Sequence, residues 1–311
     1  MQGLIKCYHG WHHRELRSKA RLRGEINRDR QDGSGNAGLE GIAMDNTILI
    51  IAASDSCAGA GIEIDLKCAA AHGVHGTCAI TGVTAQNTYE VTAIQSIEPT
   101  IVQAQIDAVF ADMPPAAIKI GMLGDAGVAR AVATSLAEHP EVPVVLDPVL
   151  VATSGATLTE ASVFELVRDT LIPRATVVTP NIPEATELTG IEVHDAESMG
   201  QAARFFLDSG AGAVLIKGGH DQADLLVDRL YVGDEVREFI SPRLPGEYHG
   251  TGCCLSTAIA CNLACGKSLV DAVRDGHDFI ARALVQPLEL GHGTQMFDPL
   301  RASNVWKRTT L

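Results

Sequence analysis

From Thr47 onward the chain alternates between two hydrophobic periods. "TILIIAA" (47–53) is a continuous apolar run, the pattern of a strand covered on both faces. A Gly-rich turn follows, and "IEIDLKCAAAHG" (62–73) reads as a helix closed by a glycine. "TCAITGVTA" (77–85) is the next strand, "PTIVQAQIDAVFADM" (99–113) a helix opened by proline, and "AIKIG" (117–121) a short strand. The rhythm continues through the strands "VPVVLDP" (142–148), "ATVVTPN" (175–181) and "AVLIKGG" (213–219), with helical stretches between them. Around Gly233-Asp234 an alternating pattern predicts an antiparallel hairpin, and two helices near 252–265 and 268–289 close the chain. Repeated strand–helix units predict an α/β fold with a mostly parallel central sheet and helices on both faces. Ligands of such sheets bind beyond the carboxyl ends of the strands, so the residues just after each strand are the ones to inspect.

Composition narrows this picture. The 311 residues are 46% hydrophobic, ample for a buried core, and 30 glycines with only 4% aromatic residues suit many tight turns. No Pro-rich or Ser-rich linker cuts the chain after Met44, so residues 44–300 are expected to form a single domain. Residues 1–43 differ: they are polar, lack an apolar face and carry eight Lys/Arg against five Asp/Glu. An Arg-rich transit peptide is one reading, but the five acidic residues argue against it. A disordered extension is the expectation, with residues 301–311 as a short tail. The formal net charge of −14 leaves the body strongly acidic, which disfavours nucleic acid and anionic lipid as partners. The eight cysteines include no C-x-x-C pair and read as reduced thiols of a cytoplasmic protein. No apolar run reaches the ~18 residues of a membrane span.

The strand ends supply the chemistry. In "HGTGCCLS", Gly250, Thr251 and Gly252 run into a helix, so free backbone amides and the positive end of the helix make an anion site. Such a site suits the charge that develops on a transferring phosphoryl group. Cys253 falls in the first turn, where a thiol pKa tends to drop and the thiolate becomes a base; the segment by itself favours Cys253-Cys254 as small core residues behind a capping turn. Asp147 in "VLDPV" and Glu184 in "TPNIPEATEL" end adjacent strands and can hold magnesium through water. Asn181 also reads as a helix cap. Lys217 in "LIKGGH" is a candidate phosphate contact or a solvated lysine before a turn. Asp65, Gln86 and Asn87 follow the first two strands; a Gln amide both donates and accepts, as the edge of an aminopyrimidine requires. Two familiar motifs fail: Ile64 stands where a dinucleotide fingerprint needs its third glycine, and Cys261 replaces the first glycine of a P-loop.

Taken in order, "DLK", "ITGVTAQNT", "KIGML", "VLDPV", "TPNIPEA", "IKGGH", "HGTGCCLS" and "GHGTQ" resemble the hydroxymethylpyrimidine and phosphomethylpyrimidine kinases of thiamine biosynthesis, within the ribokinase-like superfamily. The resemblance runs from about Thr47 to about Pro299. It implies a three-layer α/β/α sandwich and a kinase that uses ATP and Mg2+. The reaction implied is phosphorylation of 4-amino-5-hydroxymethyl-2-methylpyrimidine and then of its monophosphate. Carried over, Gly250, Thr251 and Gly252 form the anion hole and Cys253 the base. Gln86 holds the pyrimidine edge with Asp65, Ala53 and Met122 nearby. Asp147 and Glu184 position the metal, while Asn181, Lys217 and Thr179 attend ATP. A homodimer is implied as well. The family's first loop reads Gly-Thr-Asp-Pro-Ser-Gly-Gly-Ala-Gly, whereas residues 53–61 here read Ala-Ser-Asp-Ser-Cys-Ala-Gly-Ala-Gly. A pyridoxal kinase of the same fold and a non-catalytic pyrimidine or thiamine sensor are the alternatives.

Overall fold

Strand β1 (Thr47–Asp55) explains the architecture. Its apolar run sends Ile48 and Ile50 to one face and Leu49 and Ile51 to the other, and all four are fully buried. A strand covered on both sides belongs in the middle of a sheet. The computed structural model, which describes residues 46–149, 161–218, 225–246 and 248–303, places it there. The extension expected over 1–43 and most of the expected tail lie outside the described residues.

The nine described strands are β1, β2 (His75–Gln86), β3 (Val91–Ser96), β4 (Ala117–Ile120), β5 (Val144–Leu146), β6 (Val177–Val178), β7 (Val214–Ile216), β8 (Leu225–Val232) and β9 (Glu235–Pro242). They form one sheet in the order β3-β2-β1-β4-β5-β6-β7-β8-β9. From β2 to β7 neighbours are parallel, while β3, β8 and β9 pair antiparallel at the two ends. The hairpin expected at Gly233 is β8–β9, with Val232 opposite Glu235 and Gly233 at φ +57°. Strand β3 is the one the hydrophobic pattern does not reveal. Four of its six residues are exposed, so "VTAIQS" carries no buried face to read.

Helices cover both faces. Helices α1 (Gly61–Ala71), α7 (Thr251–Ala264) and α8 (Leu269–Leu284) pack on the face of Ile48 and Ile50, through Ile62, Ile259 and Val273. On the other face lie α2 (Pro99–Asp112), α3 (Ala126–Ala137), α4 (Ala161–Leu166), α5 (Ile182–Thr189) and α6 (Ala196–Asp208), through Ile106, Val132, Val163, Leu188 and Phe206. The result is the three-layer α/β/α sandwich with a mostly parallel sheet. No helix among the described residues is long and apolar enough to cross a membrane.

Two features govern how α1 is tied to the central strands. In β4, Lys119 interrupts an otherwise apolar strand, is fully buried, and puts its ammonium 2.6 Å from Asp65 of α1. The other Asp65 oxygen accepts from Thr257 of α7 at 2.7 Å. Burial pushes the Asp65 carboxyl up to about 6, and Lys119 holds it ionised at neutral pH. The second feature is the connection from β1 to α1, where Ala58 sits at φ +56°, the only positive φ of a described non-glycine residue. The family pattern has glycine at this position. A side chain there strains the backbone by roughly 1–2 kcal/mol.

Both features make predictions. K119M strands a buried carboxylate and is expected to cost about 3–5 kcal/mol in urea unfolding, whereas K119M/D65N, which removes the orphaned charge, recovers much of that loss. A K119M variant destabilised by less than about 1 kcal/mol would sink the idea, because a change that small leaves no room for an unpaired buried charge. A58G relieves the strain but frees the unfolded chain, for a net gain of roughly 0.5–1 kcal/mol. A lower melting temperature for A58G would contradict it.

Candidate active site

The carboxyl ends of the central strands deliver a row of polar side chains: Asp55 from β1, Gln86 from β2, Asp147 after β5, Thr179 after β6 and Lys217 after β7. Helix α7 starts against this row. Its N-cap, Gly250, lies at φ +80°, and a Cβ there would run into the carbonyl of Gly59. Only glycine allows that turn. No side chain caps the helix, so the first-turn amides are open to a ligand. A Cβ on Gly252 would stand 3.0 Å from the Lys217 ammonium, which places that cation beside the helix start. A cation beside the positive end of a helix opposes the dipole; an anion bound between the two reverses the sign.

Lys217 stays in place because Asp147 grips it. Its Nζ lies 2.9 Å from Asp147 Oδ1 and 4.0 Å from Glu184 Oε2. Ser256 of α7 donates to Asp147 Oδ2 at 3.3 Å, and Thr179 donates to Oδ1 at 3.3 Å. Burial would raise the Asp147 pKa, but Lys217 and Lys119 outweigh it and hold the carboxylate below its usual range. Glu184 fares differently: burial pushes it up to about 7, with Lys217 opposing and Asp147 adding to the rise. One ammonium thus serves two carboxylates. The Glu184 side chain accepts from the Asn181 amide at 2.8 Å, while Asn181 Oδ1 accepts from the Glu184 amide at 2.8 Å, a reciprocal cap on α5.

Several sequence expectations change on this geometry. Thr179 is fully buried behind Asp147, so it orients that carboxylate and does not reach a nucleotide. Asp65 does not line a pyrimidine pocket. It has no exposed surface, and its oxygens are taken by Lys119 and Thr257. The expected drop in the Cys253 pKa is also overturned. Burial pushes the thiol up to about 12, Lys119 and Lys217 oppose the rise, and Asp147 and Asp65 reinforce it. The helix dipole is worth too little to reverse those charges.

On the other side of Gly250 lies a second cluster. His249 is buried, and its Nε2 meets Asp55 Oδ2 at 3.2 Å and the Gln86 amide end at 2.8 Å. Asp55 in turn accepts from the amides of Cys57, Gly59 and Ala60 at 2.9, 3.1 and 2.9 Å. Burial would raise Asp55, but His249 and these donors lower it to about 2. Gln86 is therefore held against His249, the residue that precedes the N-cap of α7. Next to it, Ala53 and Met122 pack together with Val91 and Val149 as a small apolar wall. The sequence motifs contain His249, Asp55, Lys119 and Ser256 but assign none of them a role. The signals were a histidine abutting the Gly-Thr-Gly turn and a lysine inside a four-residue apolar strand.

The chain matches the family model described as phosphomethylpyrimidine kinase over residues 55–298. It is 45% identical over 252 residues to the hydroxymethylpyrimidine/phosphomethylpyrimidine kinase of Haemophilus influenzae, covering 79% of this chain and 93% of that one. To the thiamine biosynthesis bifunctional protein ThiED of Geobacter sulfurreducens it is 44% identical over 250 residues. That match spans 79% of this chain and 51% of the relative. Among solved structures, the phosphomethylpyrimidine kinase of Clostridium difficile superposes with a TM-score of 0.69 at 38% identity, over 77% of this chain and 99% of that one. The pyridoxal kinase of Staphylococcus aureus, in complex with pyridoxal, gives 0.77 at 29% identity, over 84% and 95%. The chain belongs to the phosphomethylpyrimidine kinase family, on a ribokinase-like fold, and is a kinase.

Proposed function

We propose that the chain moves the terminal phosphoryl group of ATP to the hydroxymethyl oxygen of 4-amino-5-hydroxymethyl-2-methylpyrimidine, and then phosphorylates the monophosphate to the diphosphate, in thiamine biosynthesis. The observation that carries this reading is the Lys217 ammonium set against the open start of α7, 3.0 Å from where a Cβ on Gly252 would be. Phosphoryl transfer asks mainly for positioning and for positive charge around the transferring group. The amides of Thr251 and Gly252 together with Lys217 supply both. Gln86, held against His249, reads the pyrimidine edge, and Ala53 and Met122 bound its apolar face.

The donor set fits a magnesium ion. Asp147 and Glu184 are hard oxygen donors, and their two carboxylates share one ammonium, which leaves a surplus of negative charge. Asp147 and Glu184 would hold the ion, which would neutralise phosphate charge when bound. Asn181 stiffens Glu184 by capping α5 and would lie toward the nucleotide phosphates.

On this reading Cys253, in the first turn of α7, takes the hydroxyl proton. Its thiol keeps its own proton at neutral pH. A reaction through the thiolate therefore gains rate as pH rises, because the thiolate fraction grows about tenfold per unit below the pKa near 12. C253A is expected to lower kcat by about 100-fold or more with KM little changed. The parent's kcat should climb between about pH 6 and pH 9, while the variant's stays flat. Equal kcat in C253A and parent would remove Cys253 from the mechanism.

Pyridoxal is the second reading, favoured by the higher TM-score to the pyridoxal kinase; the greater identity to pyrimidine kinases weighs against it. A pyrimidine or thiamine sensor without turnover is the third, and the intact Asp147, Lys217 and anion hole weigh against that. ADP release decides, with ATP, magnesium and each candidate substrate in parallel. Turnover on both the pyrimidine and its monophosphate, at least about tenfold above pyridoxal, is expected. A preference for pyridoxal would move the chain to the second reading, and binding without turnover to the third.

A further inference from the structure

The loop between β1 and α1 carries a cysteine where the family pattern has serine, and that thiol does not point at random. Cys57 Sγ lies 3.3 Å from Asp55 Oδ2, and His249 Nε2 lies 3.2 Å from the same oxygen. All three ligand atoms fall within 4.8 Å of one another. Tetrahedral zinc, with bonds of about 2.0–2.3 Å to oxygen, nitrogen and sulfur, sets its ligand atoms about 3.3–3.6 Å apart. Both measured edges lie at the short end of that range or just below it. The thiolate, imidazole and carboxylate together also form a borderline-soft set that suits zinc better than magnesium.

We infer that Asp55, Cys57 and His249 form a zinc-binding site that ties the first loop to the segment leading into the anion hole. Two backbone amides, of Gly59 and Ala60, already fix Asp55 Oδ2, so the carboxylate is held in place before any metal arrives. Zinc exchanges the thiol and imidazole contacts of that oxygen for one ion. The S–H bond breaks, its proton leaves to solvent, and a Zn–S bond forms. His249 binds through Nε2 as the neutral ring, its proton on Nδ1. Cys57 and its partly exposed side chain give the ion a way in, while His249 and Asp55 are buried. Gln86, whose amide end lies 2.8 Å from His249 Nε2, stands where the fourth position would open. Zinc bound there would sit beside the amide assigned to the pyrimidine edge; only this consequence rests on the function proposed above.

The test uses the full chain with Zn2+ and with Co2+ as its spectroscopic stand-in. Zinc affinity is measured against a chromophoric chelator, and cobalt is scanned for a thiolate-to-metal charge-transfer band in the near ultraviolet. The parent is expected to bind one equivalent and show the band. C57S, which installs the residue of the family pattern, should lose the band and about 100-fold in affinity, as should H249Q. C7S and C253S serve as controls for the other thiols and should keep both. A parent without the band, a band that disappears in C7S or C253S instead, or unchanged zinc affinity in both C57S and H249Q would overturn the site. Failure of metal binding leaves substrate turnover, measured separately without zinc, untouched as a question.

Discussion

One buried ion pair ties together the three elements on which the start of α7 depends. Lys119 and Asp65 join the central strand β4 to α1, and Thr257 adds α7 to the same carboxylate. A buried pair is poor value for stability alone, since well-packed apolar residues do as well. What it supplies is placement. Helix α7 begins six residues before Thr257, so fixing Thr257 against Asp65 sets where the amides of Thr251 and Gly252 point. Lys119 also acts at a distance. Its charge helps hold Asp147 below the usual carboxylate range and opposes the rise of the Cys253 thiol.

Charge therefore runs inward in a chain from a buried scaffold to a reactive rim. Lys119 balances Asp65 below, Lys217 balances Asp147 above, and Glu184 is left pushed up to about 7 beside an ammonium it must share. The cation at the start of α7 and the half-neutralised carboxylates next to it are each unfavourable without a ligand. An anionic substrate with a divalent cation satisfies both at once. The same arrangement explains why the site tolerates a neutral thiol. With two lysines and two carboxylates already within reach, a third fixed anion at Cys253 would be costly.

The sequence made much of this legible, and its failures share a cause. Parallel strands covered on both faces announce themselves as apolar runs, so β1 and the strands at 117–121, 142–148, 175–181 and 213–219 could be placed, although β5, β6 and β7 proved only two or three residues long. The Gly-Thr-Gly run marked a turn that only glycine can make, and Gly250 does need its left-handed conformation. By contrast, the roles of Asp65 and Thr179 depend on depth, which motif order does not encode: both stand in the right stretch but one layer too deep. The place of His249 is not legible in the sequence because its partners, Asp55 and Gln86, are distant in sequence and meet it only through the fold. The rise of the Cys253 thiol comes from burial and from charged neighbours, Asp147 and Asp65 above all, which the local pattern of a helix start does not encode.

The first loop shows how the chain departs from its family without giving up the site. Gly59 and Gly61 remain because space demands it: a Cβ on Gly59 would meet the His249 ring at 2.5 Å, and one on Gly61 would press on the Ala53 carbonyl. Ala53 can replace glycine because its methyl joins Met122 in an apolar contact. Ala58 has no such excuse and is kept at a positive φ by what surrounds it. Its amide bonds to the Asp55 carbonyl at 2.9 Å, its own carbonyl accepts from Lys67 at 3.0 Å, and the next two amides are fixed on the Asp55 side chain. Those bonds outweigh the strain because they order the loop around Asp55. The loop that bears Cys57 is thus shaped by Asp55, and the thiol is delivered to the same carboxylate that holds His249 next to the left-handed turn at Gly250.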